Sequence, residues 1–138
     1  METRAAHTET PRGHRGLILR AMLSMANADG TLHRSEADAI RRVYAEVTGD
    51  EIVTREIHGV RWTGRREGRP VVEQLVRERH KLSLGVREMI LKSAYLVLLA
   101  DGRVGARERK KLADFADALE ISEIHRNVIL EDVEPALH

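Results

Sequence analysis

A segment that occurs twice constrains this chain more than any other feature. Ala28-Asp29-Gly30 is followed six residues after its glycine by Glu36, and Ala100-Asp101-Gly102 is followed at the same spacing by Glu108. We call the distance along the chain from Asp29 to Asp101 the repeat offset. A turn and an acidic residue that recur in one register are what a duplicated helix–turn–helix unit leaves in a sequence. We therefore expect two similar helical units.

The same repeat offset relates positions outside the turn. Apolar residues correspond with apolar residues, and an acidic residue corresponds with an acidic one, so the duplication extends beyond the short motif. The corresponding pairs are Ile40 with Leu112, Val43 with Phe115, Glu51 with Glu123, Ile52 with Ile124, and Ile57 with Ile129.

Helical periodicity accounts for most of the chain. Apolar residues from Ile18 to Met25 stand at the i, i+3, i+4, i+7 spacing of an amphipathic helix. The stretch from Ala94 to Leu99 is apolar on every side, which is typical of a helix in the middle of a bundle. No segment of the sequence shows a convincing strand pattern. The sequence therefore predicts an all-α fold.

Capping and breaking residues indicate where the helices begin and end. Asp50, Ser83 and Ser122 are N-cap residue types that precede apolar runs. Gly102 is suited to end the helix before it, because glycine adopts the left-handed conformation at low cost. The segment 61–70 has two glycines, a terminal proline and no periodicity, so we expect it to connect the two halves.

Composition indicates one soluble domain. The chain has 138 residues, of which 42% are hydrophobic and 33% are charged. A net charge of +1 provides no global field for nucleic acid or membrane, and the absence of cysteine excludes disulfides, zinc–thiolate sites and thiol catalysis. The polar segment 1–16 lacks the apolar stretch of a signal peptide. We therefore expect a cytoplasmic protein without membrane insertion.

The predicted organisation is a single bundle of about seven helices. We expect residues 1–16 to form a flexible leader and residues 17–133 to form the all-α domain, with the basic connector 61–70 inside it. The domain would consist of two similar helical hairpins. A duplicated unit that cannot bury its apolar face alone gains by packing against its copy.

Turn chemistry by itself explains the repeated acidic residues. The Glu of each copy falls about one turn into the next helix, where its carboxylate meets unpaired N–H groups and the positive end of the helix dipole. If His33 and Gly105 are the N-caps, Glu36 and Glu108 occupy the N3 position of a capping box. The repeated residues would then turn and cap two helices.

Metal binding is the alternative interpretation of the same residues. The second half of each copy matches an EF-hand loop, but Met25, Val97 and Leu99 stand at positions that should supply oxygen ligands. A weaker site for Ca²⁺ or Mg²⁺ stays open if the two turns face each other across a pseudo-twofold axis. The pooled carboxylates would be Asp29, Glu36, Asp101 and Glu108.

At these residues the chain resembles the TerB-like family, which groups the bacterial tellurite-resistance protein TerB with the N-terminal domain of DjlA-type DnaJ co-chaperones. The resemblance spans about Leu17 to Leu130 and implies an all-α bundle of about seven helices with acidic positions proposed as divalent-metal sites. It also implies a cytoplasmic role in stress or tellurite response through protein partners, without enzymatic activity. The matching positions are Ala28, Asp29, Gly30, Leu32 and Glu36, and Ala100, Asp101, Gly102, Val104 and Glu108.

The basic connector favours a different class of function. A loop with four arginines around one aromatic residue has the chemistry to grip phosphates and stack a base. The alternative function is a nucleic-acid-associated helical protein, and the competing interpretation is a solvated loop whose Trp packs on the bundle. The residues concerned are Arg61, Trp62, Arg65, Arg66 and Arg69.

Catalytic motifs are missing from the sequence. His58, His80 and His125 each follow a Glu by two residues, a spacing that points the two side chains to different faces of a helix. Neither a Glu-x-x-His metal motif, a nucleophile elbow nor a phosphate-binding glycine loop occurs. We therefore expect a non-enzymatic protein, with a metal-dependent hydrolase as a third alternative. The sequence names no partner protein and leaves a homo-oligomer open.

Overall fold

The structure is a computed structural model, and the residues it describes are 12–26, 34–57, 70–102 and 105–133. These residues form six α-helices with no strand among them, so the all-α prediction is confirmed for this part of the chain, while the two-hairpin arrangement stays a prediction. A 3₁₀ turn (Arg79–Lys81) and a helical stretch at 54–57 complete the described elements. The helices are α1 (Arg12–Ala26), α2 (Arg34–Thr48), α3 (Pro70–Glu78), α4 (Leu84–Asp101), α5 (Ala106–Ala118) and α6 (Glu123–Val133).

Helix α4 lies at the centre of the bundle and contacts α1, α2, α5 and α6. Every residue from Ala94 to Leu98 is buried. This stretch of the helix has no polar face, and it is stable here because neighbouring helices remove all of its sides from water. The predicted central helix is therefore confirmed.

The core is a single cluster of mainly aliphatic side chains. Every described helix contributes to it, so each helix buries its apolar face against the other helices. Tyr44 of α2 and Phe115 of α5 are its largest fully buried side chains. Aliphatic members with exposures of 0% include Ile18, Ile40, Leu75, Ile90 and Leu119.

Three predicted helix boundaries are confirmed. The Ser83 hydroxyl accepts a hydrogen bond from the Val86 amide at 3.2 Å, and the Ser122 hydroxyl accepts one from the His125 amide at 3.2 Å. Gly102 ends α4 at a φ of 76°, and its amide donates to the Leu98 carbonyl at 3.2 Å. A left-handed residue of this kind satisfies carbonyls that the helix end would leave unpaired.

The predicted N-cap at Asp50 is wrong. Residues 51–53 are not helical, and helical backbone begins only at 54. Tertiary contacts explain the delay, because Arg15 donates to the Glu51 carbonyl at 3.0 Å and Arg41 donates to the Ile52 carbonyl at 3.3 Å. These carbonyls are held by side chains of α1 and α2, while Ile52 itself is buried. The chain therefore stays non-helical until it has passed Ile52.

The helices repeat at the offset seen in the sequence. Helix α1 begins at Arg12 and α4 begins one repeat offset later at Leu84, and the same spacing separates Arg34 at the start of α2 from Ala106 at the start of α5. The first of these helices begins inside the segment 1–16 that was expected to be a leader. Corresponding positions of the two halves are also buried alike, as in the pairs Ile18 and Ile90, Ile40 and Leu112, and Val43 and Phe115.

Candidate functional site

Glu108 caps helix α5. Its carboxylate oxygen Oε1 accepts a hydrogen bond from the Gly105 amide at 3.2 Å. This places Glu108 at N3 and Gly105 at the N-cap, as the sequence predicts, and it forms the half of a capping box that a glycine N-cap allows. In the second copy of the repeat, the acidic residue therefore has a structural task.

Glu36 is buried against the other copy of the repeat. It lies in the first turn of α2, and its side chain is only 8% exposed. A shallow groove joins it to Val97 and Ala100 in the last turns of α4. The Glu of the first copy therefore lies beside the helix end that leads into Asp101 and Gly102 of the second copy.

A side chain from the second copy lies, in turn, against the helix end of the first copy. Lys111 of α5 is half-buried, and its ammonium group donates to the Ser24 carbonyl in the last turns of α1 at 2.9 Å. Burial lowers the pKa of Lys111, and the Glu108 carboxylate offsets part of this shift. A lysine near a helix C-terminus is favourable because it meets the negative end of the dipole. The chain thus supplies its own cation at the helix end before Asp29.

Only two of the four carboxylates predicted to bind metal have side chains within the described residues, namely Glu36 and Glu108. Asp29 lies outside the described residues, and so does the side chain of Asp101. Within the described ranges, no group of three or more His, Cys, Asp or Glu side chains is arranged to hold a metal ion. What the structure brings together is the pair of approaches described above, namely Glu36 to the end of α4 and Lys111 to the end of α1.

The predicted nucleic-acid interface also lies outside the part of the chain that the structure describes. This holds for Arg61, Trp62, Arg65, Arg66 and Arg69. The nucleic-acid alternative therefore stays a prediction.

The described histidines differ in their surroundings. His80 is exposed, whereas His125 contacts the Glu88 carboxylate across helices at 3.1 Å from Nε2 to Oε2. His58 lies outside the described residues. The contact between His125 and Glu88 belongs to a surface that the motifs did not indicate.

That surface is the α4–α6 groove, an open depression between α4 and α6. Its apolar wall is formed by Val47, Met89, Val128 and Ile129, with Gly85 at the start of α4. Two polar contacts join the helices along it: Glu88 lies 3.1 Å from His125, and Lys92 forms an ion pair with Asp132 at 3.6 Å.

Two large apolar side chains of α6 are exposed: Val128, which lines the groove, and Ile124, which lies one helical turn before it. Ile124 is 78% exposed and Val128 is 55% exposed. They are four residues apart on α6, so they lie on one face of that helix. Exposed apolar residues that adjoin a groove and are rimmed by charges are typical of protein interaction sites.

The two halves of the fold differ at this face. Ile52 is 3% exposed, whereas its counterpart Ile124 is 78% exposed, so the sequence register does not carry over into equal burial here. Val128 corresponds to Glu56, which forms an ion pair with Arg15 at 2.9 Å in the first half. A carboxylate serves at the corresponding place in the first half, so the repeat pattern does not require an apolar side chain at Val128.

Comparisons with known proteins leave the family open. No protein-family model, curated protein or solved structure matches the chain. None of the helices within the described ranges is long and apolar enough to cross a membrane.

Sequence reasoning missed the residues of the α4–α6 groove because they form no motif. Ile124 and Val128 have the spacing of an ordinary buried helix face, and only the packing reveals that they are uncovered. One signal was available, since the repeat offset aligns Val128 with the charged Glu56. A position that is charged in one copy and apolar in the other is a candidate for a surface with its own function.

Proposed function

We propose that this chain is a non-enzymatic TerB-like protein of the bacterial stress and tellurite response, and that it acts by binding a protein partner at the α4–α6 groove. The observation that carries the proposal is the exposure of Ile124 and Val128 on one face of α6. Water is excluded from such side chains only when another surface covers them, and that burial favours association.

The rest of the groove supports a specific contact. Met89 and Ile129 extend the apolar surface inward from Val128, and charged side chains on both helices border it. Interaction sites commonly combine an apolar centre with a polar rim, since the centre contributes affinity and the rim contributes orientation. The ion pair of Lys92 with Asp132 connects α4 and α6 across the groove.

The TerB-like part of the proposal is supported by the repeat. Helix starts recur at the repeat offset, and the Glu that opens the second helix of each half lies in the first turn of that helix. These are the features on which the resemblance to the family rests. A role in stress or tellurite response, and action through protein contact, come to this chain with that resemblance.

Weak binding of a divalent cation is the second component of the proposal. It is supported by the position of Glu36, which is buried beside the end of α4 that leads into Asp101. The corresponding place in the other copy holds the ammonium of Lys111, which makes it less favourable for a cation. A Ca²⁺ or Mg²⁺ ion would thus be expected on the Glu36 side.

Photo-crosslinking in bacterial cells tests the protein-contact proposal. A photoreactive amino acid at Ile124 should give a covalent adduct with another protein, and the yield should change on exposure to tellurite. The same photoreactive residue at Val53, which is exposed to 57% and does not line the α4–α6 groove, is the matched control. Equal adduct patterns at the two positions, or none at Ile124, would refute the proposal.

Thermal unfolding tests the cation component. Millimolar Ca²⁺ or Mg²⁺ should raise the unfolding midpoint of the wild-type chain, because a ligand that binds only the folded state stabilises it. The shift should disappear in the double variant Asp29→Asn/Asp101→Asn. A shift that survives in this variant would exclude those carboxylates as ligands.

A further inference from the structure

The charges around the α4–α6 groove indicate the chemistry of its occupant. We propose that the groove takes a basic amphipathic helix of another protein, whose apolar residues at i and i+4 cover Ile124 and Val128 and whose Lys or Arg side chains meet the carboxylates of the rim. This inference rests on the proposed function, because it names the partner class for the same surface.

The exposed stripe on α6 ends in negative charge. Glu131 lies three residues beyond Val128 and seven beyond Ile124, so it shares their face of the helix. Asp132 follows it with a side chain that is 70% exposed. The last turn of α6 contains no basic residue, so the negative end of the helix dipole adds to these two carboxylates. A cationic side chain is the favourable neighbour for such a helix end.

Among the described residues, the basic groups of the groove contact Asp132 and Glu88 and leave Glu131 without a cationic neighbour. Lys92 lies 3.6 Å from Asp132, and His125 lies 3.1 Å from Glu88, so each is engaged with a carboxylate within the groove. Glu131 therefore remains the outermost charge beside the apolar stripe. A partner with Lys or Arg at the edge of its apolar face would complement it, and like charges there would be repelled.

The shape of the groove suits a helix. Ile124 and Val128 form a short i, i+4 stripe, and the floor beyond them is apolar through Met89 and Ile129. Gly85 leaves space at one end, since a Cβ added there would find its nearest neighbour at 3.9 Å, the hydroxyl of Ser83. An amphipathic helix laid into a groove uses apolar anchors at this spacing.

A second copy of this chain that presented its own α6 face would be a poorer occupant. Its α6 face would present the same carboxylates, so that acidic groups would meet acidic groups across the contact. Like charges brought together in an interface cost binding free energy, whereas a basic helix gains it. Self-association is thus an outcome that the experiment must be able to detect.

Two synthetic peptides test the proposal directly. Both are amphipathic helices of about five turns with Leu at i and i+4 positions, and they differ only in carrying Lys or Glu at the edges of the apolar face. Fluorescence anisotropy with the labelled peptides and the full chain should show binding of the Lys peptide, with the Glu peptide at least about tenfold weaker. Binding of the Lys peptide should weaken as salt is raised, because the rim charges are exposed.

Substitutions then test whether the peptide binds at this surface. Val128→Glu introduces the residue type found at the corresponding place in the first half. It should weaken the binding of the Lys peptide by about tenfold or more. Val53→Glu is the matched control, since Val53 is similarly exposed at 57%. Glu131→Lys should shift preference towards the Glu peptide, and it keeps the proposal testable if Val128→Glu fails to fold.

The outcomes separate this inference from the proposed function. Equal binding of the two peptides, or binding unaffected by Val128→Glu and Glu131→Lys, would overturn the basic-helix inference. Failure of both peptides to bind would do the same, while the crosslinking at Ile124 would decide the protein-contact proposal independently. A crosslinked species of twice the mass of the chain would identify a second copy as the occupant and also overturn the inference.

Discussion

Arg15 and Arg87 are related by the repeat offset, and each donates a hydrogen bond to a distant main-chain carbonyl. Each guanidinium group reaches from the first helix of its half to a main-chain carbonyl at or beyond the end of the second helix. Arg15 donates to the Glu51 carbonyl at 3.0 Å, and Arg87 donates to the Leu119 carbonyl at 2.9 Å. The two acceptors are not related by that offset, since Glu51 corresponds to Glu123 and Leu119 corresponds to Val47. The arginine is therefore repeated, whereas the carbonyl that it binds is not.

Replacing either arginine by methionine should destabilise the protein. A hydrogen bond from a charged donor to a carbonyl contributes about 1.5–3 kcal/mol, and we expect a loss of about 2 kcal/mol in urea unfolding for Arg87→Met. Arg15→Met should cost at least as much, because Arg15 also pairs with Glu56 at 2.9 Å and lies 5.5 Å from the centre of the Tyr44 ring. Arg109→Met, at an exposed position on α5, is the control.

Arg15→Lys distinguishes charge from geometry in the same experiment. Lysine keeps the positive charge but cannot contact both Glu56 oxygens and the Glu51 carbonyl at once. We therefore expect a stability between those of wild type and Arg15→Met. A wild-type stability for Arg15→Lys would show that the charge alone is sufficient.

Ser93→Ala should stabilise the protein. Ser93 is 0% exposed, and its hydroxyl finds no hydrogen-bond partner among the described residues. Ala21, its counterpart in the first half, is likewise 0% exposed. Removing a buried hydroxyl without a partner should add about 1 kcal/mol to the free energy of unfolding. Calorimetry should show a midpoint higher by about 4 °C.

Ser122→Ala is the natural contrast, because the chemical change is identical. The Ser122 hydroxyl caps α6 by accepting from the His125 amide, so its removal should lower stability by about 1 kcal/mol. Opposite signs for the two serines are the expected result. A loss of stability in Ser93→Ala would indicate that its hydroxyl has a partner.

Glu120→Gly should also be stabilising. Glu120 follows the end of α5 with a φ of 56°, a left-handed conformation that glycine adopts without strain. Its ion pair with Arg79 at 3.4 Å involves a side chain that is 61% exposed and contributes little in water. We expect a gain of about 0.5–1 kcal/mol in chemical denaturation.

Gly102→Ala tests the same cost of a left-handed backbone by removing a glycine rather than introducing one. Gly102 has a φ of 76°, and a Cβ added there meets no atom within 4 Å, so only backbone strain would change. A loss of about 1 kcal/mol is expected. Equal stabilities for Gly102→Ala and the wild type would show that the helix end adjusts its backbone.

Lys111 should make stability rise in alkaline solution. Burial lowers its pKa in the folded state, with Glu108 raising it and Arg107 lowering it to smaller extents. Below the folded pKa, both states carry the proton and the full cost of burying the charge is present. Between the folded pKa and the unfolded value of about 10.4, the unfolded state binds more protons, so the free energy of unfolding increases with pH.

The variant Lys111→Met isolates this contribution. Chemical denaturation of both proteins across the alkaline range should show that the free energy of unfolding of the wild type increases relative to that of the variant as pH rises. A constant difference between the two proteins would mean that Lys111 titrates alike in the folded and unfolded states. The hydrogen bond to the Ser24 carbonyl affects the size of the difference rather than the sign of its slope.

Much of the fold was predictable because local chemistry is sufficient to specify it. The apolar run from Ala94 to Leu98, the caps at Ser83 and Ser122 and the left-handed Gly102 all act within a few residues of themselves. Their structural outcome follows from side-chain type and spacing. The N-cap prediction at Asp50 was wrong because distant side chains hold the carbonyls that follow it.

The candidate functional surface could not be predicted in the same way. Ile52 and Ile124 are the same residue at corresponding positions of the repeat, yet one is buried and the other is exposed. Their difference depends on which helices pack over them, and a sequence pattern carries no direct record of that packing.

The sequence by itself determined the helical class, the register of the internal repeat, the central apolar helix and the capping position of Glu108. Periodicity and capping are short-range effects, so they can be read from residues close together in the chain. Only the tertiary structure decided that Glu36 lies against the end of α4 and that Ile124 and Val128 remain uncovered. Burial is a property of the whole assembly of helices, since each side chain is covered by residues that are far from it in sequence.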